Sequence, residues 1–263
     1  MLGKLLKYEF KASARTLLPL YGALLVLSLI NGFNMRLEYN FLTGIAIALT
    51  SGLCFAIAVC SFYLILQRFW TNLLRDEGYL MFTLPVKSSQ LIWSKLISGI
   101  SWVTISCIVG LLAMLLWFAP LNWDQFMHAF SYFPQFYDQI LLEFNLLNAN
   151  FPLAVVESIL LVLVFGAYQI LVLYCAMAVG QLPAVSKYRI LASFGAYLMI
   201  HWAVQNLVIV AARLSGQVVS LHDLIQRINL NLGLALILAG VAAGCALFFL
   251  LTDYLLKNKL NLE

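Results

Sequence analysis

The residues able to do chemistry are few and scattered. His128, His201 and His222 share no metal-ligand spacing with each other or with a cysteine. The five cysteines, Cys54, Cys60, Cys107, Cys175 and Cys245, lie inside apolar runs without a CxxC pair. They read as small buried hydrophobes, not as disulfides or ligands. The sequence has no GxxxxGKS/T loop to cradle a nucleotide phosphate, and no GxSxG or HExxH. Polar groups deep inside apolar stretches reduce to Gln169 on one and His201, Gln205 and Asn206 on another. Glu157, Arg213 and Asp253 stand near the ends of such stretches, where a side chain can snorkel to water. Ion-coupled transport generally uses acids or broken helices at the membrane midplane. Gln169, His201, Gln205 and Asn206 are therefore candidate pathway groups without a relay. No catalytic residue, metal or cofactor is expected in this chain.

Composition supplies the setting for these residues. Of 263 residues, 63% are hydrophobic and 10% charged, where a soluble domain carries about 25% charged residues. The net charge of +4 is small and dispersed, which argues against a nucleic-acid partner and leaves a polytopic membrane protein in contact with lipid. Six stretches free of Lys, Arg, Asp and Glu reach the ~20 residues a bilayer core requires. They are about 16–35, 41–67, 96–121, 158–186, 190–212 and 228–252. Lipid offers no water to backbone N–H and C=O groups, so such runs fold as helices. They also lack the alternation of barrel strands. The predicted class is all-α, with six transmembrane helices in one domain, 1–263.

The basic residues set the orientation. One side holds Lys4, Lys7, Lys11, Arg15, Arg68, Arg75, Lys87, Lys95, Lys187, Arg189, Lys257 and Lys259; the other holds Arg36, Arg213 and Arg227. Twelve against three makes the first side cytoplasmic and puts both termini there. Within 1–15, Lys4, Lys7, Lys11 and Arg15 share one helical face and Leu2, Leu6, Phe10 and Ala14 another, which predicts an amphipathic helix at the inner surface. The outer segment 120–152 has no Lys or Arg, and its aromatic residues recur at helical spacing. Two amphipathic helices are expected there, one around Trp123–Phe130 and one with Pro134 in its first turn. Gly44, Ala48, Gly52, Ala56 and Cys60, and the pair Gly240 and Gly244, form stripes of small residues that let helices approach closely.

The cytoplasmic segment 68–95 is the most distinctive. Arg75, Asp76 and Glu77 precede an apolar cluster of Tyr79, Leu80, Met81, Phe82 and Leu84; Pro85 stops any helix, and Ser88 or Ser89 can cap the next. An apolar cluster on such a loop dips into the interface or docks on a partner. Glu77-Gly78-Tyr79-Leu80, Thr83-Leu84-Pro85-Val86, Ile92 and Ser94-Lys95 resemble the loop between the second and third spans of ABC type-2 permeases. Lys7 to Thr16, KYEFKASART, is similar to the start of that family. A narrower resemblance is to Gram-positive permeases that export amphipathic peptides, including phenol-soluble-modulin exporters.

The resemblance implies the permease subunit of an ATP-driven exporter in a bacterial plasma membrane. A coupling helix carrying Asp76, Glu77, Gly78, Tyr79, Leu80 and Phe82 would rest on a separate ABC ATPase. ATP and magnesium would be held by that partner, and a second permease copy or paralogue would complete the pathway. The rival readings are an ion-coupled secondary transporter and a non-transporting sensor or scaffold.

Overall fold

A computed structural model describes residues 2–34, 41–74, 87–118, 127–128, 131–146, 149–182, 188–214 and 229–258. Among them are seven α-helices and no strand: α1 (Leu2–Asn34), α2 (Phe41–Phe69), α3 (Ser88–Phe118), α4 (Phe133–Leu146), α5 (Phe151–Val179), α6 (Arg189–Leu214) and α7 (Leu230–Asn258). A π-helical segment, Trp70–Leu74, continues α2. Among the described residues five helices are long and apolar enough to cross a membrane: Leu2–Asn34, Gly44–Phe69, Ser88–Trp117, Phe151–Val179 and Leu230–Lys257. The protein is thus all-helical with multi-pass membrane character. The stretch expected as a further span is present as α6, 26 residues long. His201, Gln205 and Asn206 lie along it.

The N-terminal region differs from its expected form. Residues 2–15 and the first apolar run share one helix, because α1 runs unbroken for 33 residues with Pro19 inside it. At 1.5 Å per residue α1 measures about 50 Å, against about 30 Å of hydrocarbon. The surplus matches the charged turns, where Lys4, Lys7, Lys11 and Arg15 are exposed as their spacing requires. Phe10 and Ala14 pack on a protein core. In α1 the face formed by Glu9, Ser13, Leu17, Tyr21, Leu24, Ser28 and Asn31 is buried.

The chain forms two compact units. The first comprises residues 1–67 and 97–138. Its core is Leu17, Tyr21, Leu24, Ile57, Trp102 and Ala113. The Tyr21 hydroxyl lies 2.6 Å from Ser106 Oγ, which lies 3.2 Å from Ser61 Oγ, so the Ser106 hydroxyl of α3 links one hydroxyl of α1 to one of α2. Asn31 donates to the Ala46 carbonyl (3.1 Å) and to Thr50 Oγ1 (2.5 Å). Interhelical hydrogen bonds of this kind hold helices together where lipid and core are equally apolar.

The second unit comprises residues 68–96 and 139–263. Phe69 and Tyr174 stack with ring centroids 3.9 Å apart and planes 9° apart. In the same unit Leu73, Leu91, Ile92, Leu171 and Val172 are almost wholly buried. α5 and α7 pack along their length. A Cβ on Gly244 would sit 3.0 Å from the Tyr168 ring, so this member of the small-residue stripe does admit a close neighbour. A Cβ on Gly44, Gly52 or Gly240 meets nothing within 4 Å.

Gly180, the C-cap of α5, has φ −65°, so space and not backbone freedom selects glycine. A Cβ there would collide with Ser193 Oγ and stand 2.7 Å from the Arg189 carbonyl oxygen. Gly180→Ala must push α6 away from α5. The expected destabilisation is that of an overpacked core, ~1–3 kcal/mol, read as a lower Tm in detergent with helix content retained.

Candidate functional site

Of the residues singled out in the sequence, Asp76, Glu77, Gly78, Tyr79, Leu80 and Phe82 lie outside the described residues. Their flanks are described on both sides. On the N-terminal side α2 ends in the π-helical segment, and Phe69, Leu73 and Leu74 are buried at 0–3% exposure. A π-turn is uncommon and recurs at functional positions. On the C-terminal side Lys87 is exposed, Ser88 is buried and α3 begins. Ser88 is one of the two serines, with Ser89, expected to cap α3; its hydroxyl donates to Asp253 Oδ1 on α7 at 2.5 Å. Asp253 Oδ2 accepts from Lys257 Nζ, also at 2.5 Å. The Trp93 and Phe249 rings pack 5.2 Å apart beside this junction. The start of α3 is thereby fixed to the end of α7. Asp253 is a bonding partner here, where the sequence suggested only a side chain snorkelling to water.

The four polar pathway candidates are not equivalent. Gln169 on α5 has a buried Oε1 without a hydrogen-bond partner, and the same holds for His201 Nε2 on α6. The Tyr197 ring meets the His201 imidazole edge-on at 4.5 Å. Gln205 and Asn206 are exposed. Asn206 Nδ2 donates one of its two N–H groups to the Trp202 carbonyl of its own helix at 2.7 Å.

A cluster that sequence reasoning did not assemble sits where α5 and α7 begin. Asn150 N-caps α5, its side chain accepting from the Leu153 N–H, with Pro152 in the first turn. The Asn150 N–H donates to Asn231 Oδ1 at 2.7 Å, and Asn231 Nδ2 donates back to the Asn150 carbonyl at 3.2 Å. The same amide nitrogen donates to Glu157 Oε2 at 3.2 Å. Glu157 is thus tied to a neighbouring helix; it too was read as a snorkelling end residue. The available signals were the Asn-Phe-Pro sequence at 150–152 and the asparagines preceding the last apolar run.

Next to the clasp, α4 and the start of α5 border an open groove of about 500 Å³ lined by Leu141, Phe144, Asn145, Ala149 and Phe151 among others. Phe144 and Phe151 meet edge-to-face at 5.1 Å. α4 carries Pro134 in its first turn as expected and buries none of its residues. The companion helix expected around Trp123–Phe130 falls almost wholly outside the described residues.

Among the described residues no group of three or more His, Cys, Asp and Glu could hold a metal ion. Polar junctions tie the starts of α5 and α7 to each other and the start of α3 to the end of α7. No protein-family model, no curated protein and no solved structure matches the chain.

Proposed function

We propose that this chain is the membrane-spanning permease subunit of an ATP-driven exporter of the ABC type-2 kind. It would cross a bacterial plasma membrane six times, α6 included, with both termini in the cytoplasm. A separate ABC ATPase would dock on Asp76–Phe82 and supply the hydrolysis; a second permease copy would complete the pathway. The observation that supports this reading is the anchoring of both flanks of that segment. Phe69, Leu73 and Leu74 on one side and Ser88, Leu91 and Ile92 on the other are buried in the same compact unit as α5, α6 and α7. Force applied to a segment held this way reaches the spans; a loop hung on slack connections would absorb it. A ligand or partner shifts such an equilibrium only by contacting its two states differently, and rigid flanks allow that difference to be felt.

The substrate class follows from the spans. They hold too few polar groups to line a conduit for a small hydrophilic solute, whose own groups would go unpaired at several kcal/mol each. An amphipathic or hydrophobic substrate, a peptide first, entering laterally from the membrane fits better. Affinity purification of the tagged chain tests the assignment: an ABC ATPase should co-purify in stoichiometric amount. Its hydrolysis in proteoliposomes should rise with amphipathic peptides or lipids; stimulation by sugars or amino acids alone would refute the substrate class. Truncating two central anchors of such an interface costs ~2 kcal/mol or more each. Tyr79→Ala/Phe82→Ala, expressed at the normal level, should therefore lose the ATPase from the pull-down. A rival reading draws on the buried, unpartnered atoms of Gln169 and His201. Ion coupling through them would make transport depend on a proton or sodium gradient without any ATPase.

A further inference from the structure

Asp253 is poorly placed for the helix that carries it. It lies in the last two turns of α7 (Leu230–Asn258), where the backbone carbonyls give the helix its negative end and a carboxylate is disfavoured. Lys257, one turn on, offsets part of this through the ion pair with Oδ2. The other oxygen looks across to α3. Ser88 is the first residue of that helix, and its hydroxyl donates to Asp253 Oδ1 at 2.5 Å. The carboxylate therefore sits at the positive end of α3, where a negative charge is favoured. Asp253 gains across the helix pair what it loses within its own helix.

The junction is partly enclosed. Ser88 is 7% exposed, the Asp253 side chain 15% and the Lys257 side chain 52%. Trp93 of α3 packs on Phe249, one turn before Asp253. A hydrogen bond to an ionised group is stronger and more directional than a neutral one. Separating α3 from α7 here would leave a carboxylate and a hydroxyl to find new partners. Separation of the two ends therefore carries the cost of losing that bond.

We infer that Asp253, held by Ser88 and Lys257, is the positioning residue that makes the end of α7 follow the start of α3, so that a displacement arriving through the segment before Ser88 is delivered to α7. This rests on the proposed ATPase-driven function and names the residues within the chain that relay the drive. Asp253 touches neither the ATPase nor the substrate.

The test uses the full chain in complex with the ABC ATPase that co-purifies with it, with ATP plus vanadate as the trapping probe. Hydrogen–deuterium exchange is read at 88–96 and at 249–257. In the unaltered complex, trapping should change exchange in both segments. In Ser88→Ala, which removes a single oxygen, the response at 88–96 should persist and the response at 249–257 should be lost, with the amount of bound ATPase close to that of the parent and helix content retained. Ser88→Thr, which keeps the hydroxyl, should restore the response, and Asp253→Asn should behave as Ser88→Ala. If Asp253→Asn does not fold, the alanine and threonine variants decide alone. A response at 249–257 that survives Ser88→Ala, or is missing from the unaltered complex, overturns the inference and leaves the ATPase assignment standing. Failure of any ATPase to co-purify overturns that assignment, and this inference with it.

Discussion

Asn231→Ala should destabilise the protein more than any other single truncation outside the apolar cores, because one side chain there serves three partners. Its Oδ1 accepts from the Asn150 N–H, and its Nδ2 donates to both the Asn150 carbonyl and Glu157. Asn231 is only 8% exposed, so water does not readily replace it. Interhelical hydrogen bonds in membrane proteins are worth about 0.6 kcal/mol on average and up to about 1.7. Three of them, one to a carboxylate, put the loss at ~2–4 kcal/mol. Asn231→Leu should be as harmful as alanine, since extra apolar volume leaves the same groups orphaned. Asn231→Gln, which keeps both functional atoms, should recover part of the loss. Thermal unfolding in detergent, followed by intrinsic fluorescence, gives the ranking. Equal Tm values for Asn231→Ala and the parent would mean that the clasp contributes nothing.

Surface labelling in intact cells should separate two positions almost completely. In a background lacking the five native cysteines, Ser131→Cys should react with an impermeant maleimide and Lys87→Cys should not until the cells are opened. The expectation rests on the twelve-to-three distribution of basic residues. The structure decides which residues make fair reporters. Ser131 and Lys87 are exposed, whereas Ser88, next in the chain, is buried and bonded to Asp253. A cysteine at 88 would stay unlabelled from either side for lack of access. Labelling of Lys87→Cys in intact cells would invert the topology and remove the cytoplasmic ATPase site from the proposal.

The helix ends show where sequence reasoning loses resolution. Charge-free runs located α2 within two residues, since Phe41 and Gln67 bound the run and α2 is Phe41–Phe69. The same criterion placed the fourth span at 158–186, while α5 runs from Phe151 to Val179. Glu157 broke the run, yet its charge has a partner on α7, and the true start is set by the Asn150 cap and Pro152. Lys95 likewise bounded the third span but lies inside α3, which starts at Ser88. Absence of charge is a property of the lipid-facing surface; a helix ends where backbone donors and acceptors find caps, and a charged residue can lie within that limit once a neighbouring helix answers it.

What the sequence determined by itself is the class of molecule. Long apolar runs leave the backbone no alternative to helices in lipid, because this is a summed effect over many residues. It also marked α4, through Pro134 and the spacing of its aromatic side chains. The partners of single polar residues were decided only by tertiary structure. Asp253 with Ser88, 165 positions apart, and Asn231 with Asn150, 81 apart, are brought together by helix packing. So are Tyr21 and Ser106, 85 apart. Each bond depends on helix rotation and offset to within about an ångström, the tolerance of a hydrogen bond. Hydropathy periodicity fixes which face of a helix is apolar, but on helices that are apolar nearly all round it does not say which residue meets which.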